Sequence, residues 1–176
     1  MTSPVAEDPS AAEEALLDCR HLYRALAASV TVITAQGDSG PQGMTASSVT
    51  AVSLTPPLMA VTLAPHSQTL AALRTSGRFV INVLGEDQQA LSARFAGPRP
   101  GWARFAGITI RDGELPKLVD ALASAVCTVE WERACGDRVL VLGRVQETEV
   151  QEGSPLLWHG SGYHGLRPAA GCSSRG

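Results

Sequence analysis

The sequence predicts a mainly β protein, an antiparallel barrel with a few helices on its outside. Three observations carry that expectation. Seven or so segments are rich in β-branched residues and bounded by turn clusters, helical periodicity is confined to a few stretches, and strands do not alternate with helices as a parallel sheet requires. The elements follow in chain order. Residues 1–10, with Pro4, Pro9 and two acids, read as a loose tail. From Ala11 to Leu26 the apolar residues Ala15, Leu16, Cys19, Leu22, Tyr23 and Leu26 recur at intervals of three and four, the period of an amphipathic helix. The period then changes to two. Ser29 to Thr34 is a strand ending at the turn cluster 37–41, and a second strand-rich stretch runs from Met44 to Leu54.

Pro56-Pro57 marks the entry to an apolar strand, Leu58 to Leu63. A short helix follows with legible ends: Ser67 is a good N-cap, Leu70 and Leu73 share a face, and Gly77 sits where a left-handed residue belongs. Arg78 to Leu84 returns to strand. Asp87 starts a brief helix in which Leu91 and Phe95 stack, stopped by Gly97-Pro98. Residues 97–117 form a Gly-, Pro- and Arg-rich excursion with one short strand at Ile108 to Ile110, and Trp102 and Phe105 either pack it onto the barrel or form a lid. Two long strands, 121–132 and 138–150, close the domain through a Cys135-Gly136-Asp137 hairpin turn.

A length of 176 residues fits one domain, and 44% apolar against 18% charged residues excludes disorder along most of it. The net charge of −3 gives no basic footprint, so no nucleic-acid partner is expected. Lys117 is the only lysine, which argues against Schiff-base chemistry. The four cysteines form no C-x-x-C pair, and free thiols in a reducing cytosol are expected. No positively charged leader and no apolar run of ~18 residues is present, so the expected location is cytoplasmic, with no membrane partner.

Gly160-Ser161-Gly162-Tyr163-His164-Gly165 matches the spacing G-x-G-x-x-G, but only eleven residues follow, too few for the helix and strand of a dinucleotide-binding unit. No metal-ligand spacing is present among the four histidines. Two features stand out. Gly43-Met44-Thr45-Ala46-Ser47-Ser48 is either a bulged edge strand or a small-residue surface that a flat ligand can approach, its N–H groups and hydroxyls facing a polar ring edge. Ser67-Gln68-Thr69 is either a plain cap or, with Arg94 as countercharge, an anion site at a helix start; Arg94 by itself reads as a solvated helix residue.

The ordered set of Val30 to Thr34, Gly43 to Ser48, Ser53 to Leu58, Ser67 to Leu70, Gly77 to Leu84, Leu91 to Phe95, Gly136-Asp137, Gly143 to Val145, Pro155 to Leu157 and Gly162 to His164 resembles the flavin reductase-like family. These are the FMN-binding split-barrel proteins that supply reduced flavin to two-component monooxygenases. The resemblance implies an antiparallel Greek-key split barrel over residues 15–167, with disordered tails over 1–14 and 168–176. It implies an NAD(P)H:flavin oxidoreductase working on FMN or FAD with NADH or NADPH as hydride donor. It also implies a homodimer, and a partner flavin-dependent monooxygenase reached by diffusing reduced flavin. Met44, Thr45, Ala46, Ser47 and Ser48 would line the isoalloxazine with Leu63 and Ala64 beside it, and Ser67, Thr69 and Arg94 would meet the phosphate. Tyr163 and His164 would lie near flavin and nicotinamide, His164 positioning the nicotinamide or stabilising charge. Direct hydride transfer asks for no protein nucleophile or metal, which fits the missing motifs. Arg138 departs from the His that the family often has after Gly-Asp, and Thr55 from an acid before Pro-Pro. An FMN-bearing oxygenase or oxidase, or a non-catalytic flavin-binding module on the same barrel, remains the alternative.

Overall fold

The computed structural model describes residues 9–99, 101–111 and 115–167; of the tails expected at 1–14 and 168–176, residues 1–8 and 168–176 lie outside them, as does the side chain of Trp102. Helix α1 spans Pro9–Ala25. It begins two residues before the predicted start, so residues 9–14, assigned above to a disordered tail, are helical. Proline is compatible with a first turn, whose N–H groups have no intrahelical acceptor. The chain then enters β1 (Ala28–Ser29), β2 (Thr31–Gly37), β3 (Gly40–Ala46), β4 (Val49–Leu54) and β5 (Pro57–Leu63).

Helix α2 (Gln68–Ser76) has the ends the sequence announces. The Ser67 hydroxyl accepts from the Leu70 N–H at 3.2 Å, and Gly77 at φ 66° donates its N–H to the Leu73 carbonyl. Next come β6 (Arg78–Val83), α3 (Gln89–Ala96), α4 (Gly101–Phe105), β7 (Ile110–Arg111) and β8 (Lys117–Leu118). Asp87 does not cap α3, which starts two residues after it with no side-chain cap bond. The strand expected at 108–110 is displaced to β7, where it pairs with β8. Finally β9 (Ala123–Cys135) and β10 (Arg138–Val150) form the long hairpin through Gly136 at φ 60°. A hairpin of β11 (Leu157–His159) and β12 (Gly162–His164) was not foreseen. It explains the G-x-G-x-x-G match: Gly160 and Ser161, both at positive φ, make the turn.

Seven antiparallel strands form one sheet in the order β3-β2-β6-β9-β10-β5-β4. Its two edges, β3 and β4, are consecutive in the chain and separated only by Ser47-Ser48, so the sheet must curl until the edges adjoin. No ladder joins them, which leaves a barrel with an open seam. Strand β2 is buried from Thr31 to Ala35 because both its faces are covered. Ile33 joins the interior core with Leu63, Leu70, Leu73, Phe79, Cys127 and Val141. Val32 joins a second core outside the sheet with Leu84, Phe95, Phe105, Leu118 and Leu156. Phe105 is buried there, edge-on to Phe95 at 5.0 Å, so it packs the excursion onto the barrel and is no lid.

Burial pushes the Cys127 thiol up to about 12, whereas Cys19 and Cys135 are exposed. Iodoacetamide on the native protein is therefore expected to alkylate Cys19 and Cys135 and spare Cys127 until denaturant is added, as peptide mass mapping would show. Native labelling of Cys127 would contradict this packing.

Candidate active site

The seam and its surroundings hold a cleft of about 660 Å³, within the ~300–1,000 Å³ usual for small-molecule sites. Three parts of the fold wall it. The end of β3 and the Ser47-Ser48 link supply Met44, Thr45, Ala46, Ser47 and Ser48. The turn end of the long hairpin supplies Asp137 and Arg138, beside Thr62 of β5. The third wall is Tyr23 and Leu26 at the end of α1 with Trp158 of β11. That wall is one unit, because Ala28 pairs with Trp158 and the Gly160 N–H donates to the Arg24 carbonyl at 3.0 Å. A smaller cavity of about 170 Å³ shares Thr45, Ser47 and Trp158 with the cleft and adds Ser92 and Tyr163.

Hydrogen bonds knit these walls together. The Thr45 hydroxyl donates to the Ser92 carbonyl at 2.6 Å, and the Ser92 and Tyr163 hydroxyls lie 3.0 Å apart. Tyr163 also stands edge-on to Trp158 at 4.9 Å. The Ser48 hydroxyl donates to the Thr62 carbonyl at 3.0 Å, where the β4–β5 pairing runs on past Val49. The Ser47 side chain is exposed and, among the described residues, bonded to nothing.

The five consecutive residues Met44 to Ser48 are thus brought together, with Tyr163 next door. The remaining candidates are not on these walls. The Leu63 side chain is fully buried in the interior core, with Ala64 just beyond it, so it cannot stack on a ligand in the open cleft. Thr69 is 2% exposed, which removes its hydroxyl from a surface phosphate; the Ser67 oxygen accepts the Leu70 N–H as the α2 cap, and Ser67 does not line the cleft. Arg94 lies ~200° around α3 from Ser92, on the side away from the cavities. Its guanidinium donates to the Ala103 and Ala106 carbonyls instead. His164 is exposed, its Nε2 3.1 Å from the His159 carbonyl and its ring edge-on to His159. Strand alternation puts it on the face of β12 opposite Tyr163.

Gly43 corrects another expectation. A Cβ there would meet Phe95 Cε1 at 2.8 Å and Phe105 Cζ at 3.1 Å, so its smallness serves the outer core rather than an approaching ligand. Ser92, Trp158, Thr62 and Asp137 line these walls without having been named as candidates, and Arg138, which the sequence marked only as a departure from the family's usual His after Gly-Asp, joins them. Ser92 left a signal of its own, a hydroxyl on the apolar face that carries Leu91 and Phe95.

A family model described as "Flavin reductase like domain" matches residues 23–167. The chain belongs to the flavin reductase-like family. It is 37% identical to the reductase subunit HsaB of a flavin-dependent monooxygenase from Rhodococcus jostii, over 94% of this chain and 87% of that one. It is 34% identical to an NADH-dependent flavin reductase from a Rhodococcus species, over 83% of this chain and 85% of the relative. The structure of a nitrilotriacetate monooxygenase component B homologue from Mycobacterium thermoresistibile superposes with a TM-score of 0.81, at 32% identity, covering 92% and 93% of the two chains. The antiparallel split barrel expected from the sequence is therefore the fold of this flavin reductase-like chain.

Proposed function

We propose that this chain is an NAD(P)H-dependent flavin reductase that reduces FMN or FAD by direct hydride transfer and supplies the reduced flavin to a separate flavin-dependent monooxygenase. The observation that carries the reading is the cleft, a flat-ligand site walled by hydroxyls and aromatic rings in a chain of this family. The residues present fit a flavin. Ser47 offers an unbonded hydroxyl to a polar ring edge, and Thr45 keeps its oxygen lone pairs while its proton is held by Ser92. When bound, flavin supplies the hydride acceptor, so the protein's work is to bind, orient and exclude water. Tyr23, Leu26 and Trp158 shield the cleft, and the Thr45–Ser92–Tyr163 bonds fix the wall against which a ring stacks.

His164 enters the reading from the exposed face of β12, where it would meet the nicotinamide from outside the cleft. His164→Ala is expected to slow hydride transfer several-fold, read by stopped-flow flavin bleaching, while barely moving the melting temperature. A large melting loss with an unchanged rate would make the residue structural.

A homodimer is part of the proposal. Leu16, Leu22 and Tyr23 on α1 and Leu26 just after it are each more than half exposed, an apolar face of the kind oligomers cover. Among the described residues no helix is long and apolar enough to cross a membrane. The deciding experiment measures NADH and NADPH oxidation in air without flavin, then with FMN, FAD or riboflavin. Oxidation only with added flavin supports a diffusible-flavin reductase, and none under any combination sinks the reading.

A further inference from the structure

We propose that Arg138 is the cation that receives a nucleotide phosphate in the cleft, the role the sequence suggested for Arg94; this rests on the flavin reductase reading above. Among the described residues lining the cleft Arg138 is the only Lys or Arg, and it stands there with Ser47, Ser48 and Thr62. Flavin mononucleotide and the nicotinamide dinucleotides all bring phosphate oxyanions, which a guanidinium meets with paired N–H donors. Leaving such a charge unmatched in a cleft walled by hydroxyls and rings would weaken binding.

The sheet register explains the position. Leu140 pairs with Thr62 and Val139 with Leu63, so one more step along β10 sets Arg138 beside Ala64. The Ala64 carbonyl accepts the Ser67 N–H at 3.0 Å, in the turn that leads into α2. Arg138 thus stands at the end of β10 nearest that turn. Arg138 is also available. Its ionic contact is a loose one with the neighbouring Asp137 at 3.7 Å, the two side chains 50% and 91% exposed. Asp137 also lines the cleft, and its carboxylate would turn away from a bound phosphate. Arg94, by contrast, commits its Nη2 to the carbonyls of Ala103 and Ala106, its Nε is buried without a partner, and it does not line the cleft.

The test titrates the full-length wild type, Arg138→Gln, Arg138→Lys and Arg94→Gln with FMN and with riboflavin by flavin fluorescence, and with ADP-ribose by calorimetry. The wild type is expected to prefer FMN over riboflavin about tenfold, the scale of one charge-assisted contact. Arg138→Gln should erase that preference and its salt dependence, and Arg138→Lys should keep part of it. If Arg138→Gln instead leaves the FMN preference intact and weakens ADP-ribose about tenfold, the phosphate is the dinucleotide's and Arg138 still receives it. No selective loss in either arm, or a loss produced by Arg94→Gln alone, overturns the assignment while leaving the reductase reading standing. A wild type that binds neither flavin nor ADP-ribose, and oxidises no NADH with added flavin, removes the reading itself.

Discussion

Gly143→Val is expected to destabilise the protein by about 3 kcal/mol or more, a large share of the ~5–15 kcal/mol that holds a domain folded. A Cβ at this position would lie 2.5 Å from Phe79 Cζ, 2.8 Å from Phe79 Cε1 and 3.0 Å from Cys127 Cβ. Phe79 and Cys127 are fully buried in the interior core, so neither can swing into solvent to make room. The backbone cannot retreat either. Gly143 pairs with Met59 on one side and Val129 on the other, and a register irregularity already falls between it and Leu142. The same strand presents Arg138 to the cleft, so distortion of β10 should weaken flavin binding as well as folding. Urea denaturation with a parallel flavin titration checks both, with Gly143→Ala moving the midpoint less in the same direction. A wild-type midpoint for the valine variant would mean that Phe79 repacks freely, contrary to the packing described here.

Gly143 also illustrates what a sequence can and cannot say. As a letter it marks one position of a family-like motif; only the fold reveals the phenyl ring it makes room for. Features set by neighbours in the chain were legible: the Ser67 cap, the left-handed Gly77, the Gly136-Asp137 turn and the β-branched strand through Thr31 to Thr34. The small-residue segment at Met44 to Ser48 was legible for the same reason, since five consecutive residues stay together in any fold. Positions that depend on tertiary packing are of another kind. Arg94 and Thr69 were assigned to a phosphate by the family resemblance, but a resemblance in sequence does not say which side of a helix turns toward the sheet, and α2 buries Thr69 while α3 directs Arg94 to α4. Strands β11 and β12 have three residues each, too few for an alternating pattern to show. Trp158 and Arg138 became wall partners through pairing of distant strands, which one sequence does not disclose.

Asn82→Leu is the second substitution expected to cost several kcal/mol, through polar bookkeeping rather than volume. Asn82 is fully buried on β6. Its amide nitrogen donates to the Val32 carbonyl at 2.9 Å and to the Thr34 hydroxyl at 3.2 Å, and its oxygen accepts the Leu118 N–H at 3.0 Å. Thr34 in turn donates to the Pro116 carbonyl at 2.6 Å. These bonds tie the end of the long excursion to the central strands. Leucine has similar bulk, so packing survives, but the Leu118 N–H is left buried without an acceptor. Orphaned buried groups cost ~1–3 kcal/mol each, so a total near 3 kcal/mol is expected. The loss should be local before it is global. Hydrogen exchange at Leu118 should accelerate together with its neighbours in β8, ahead of the interior strands. Adding Thr34→Val separates the causes, because removing a second polar partner should cost less in the Asn82→Leu background than in the wild type. If the two losses simply add, the network does not act as a unit and the excursion is held by Phe105 and Leu118 packing alone.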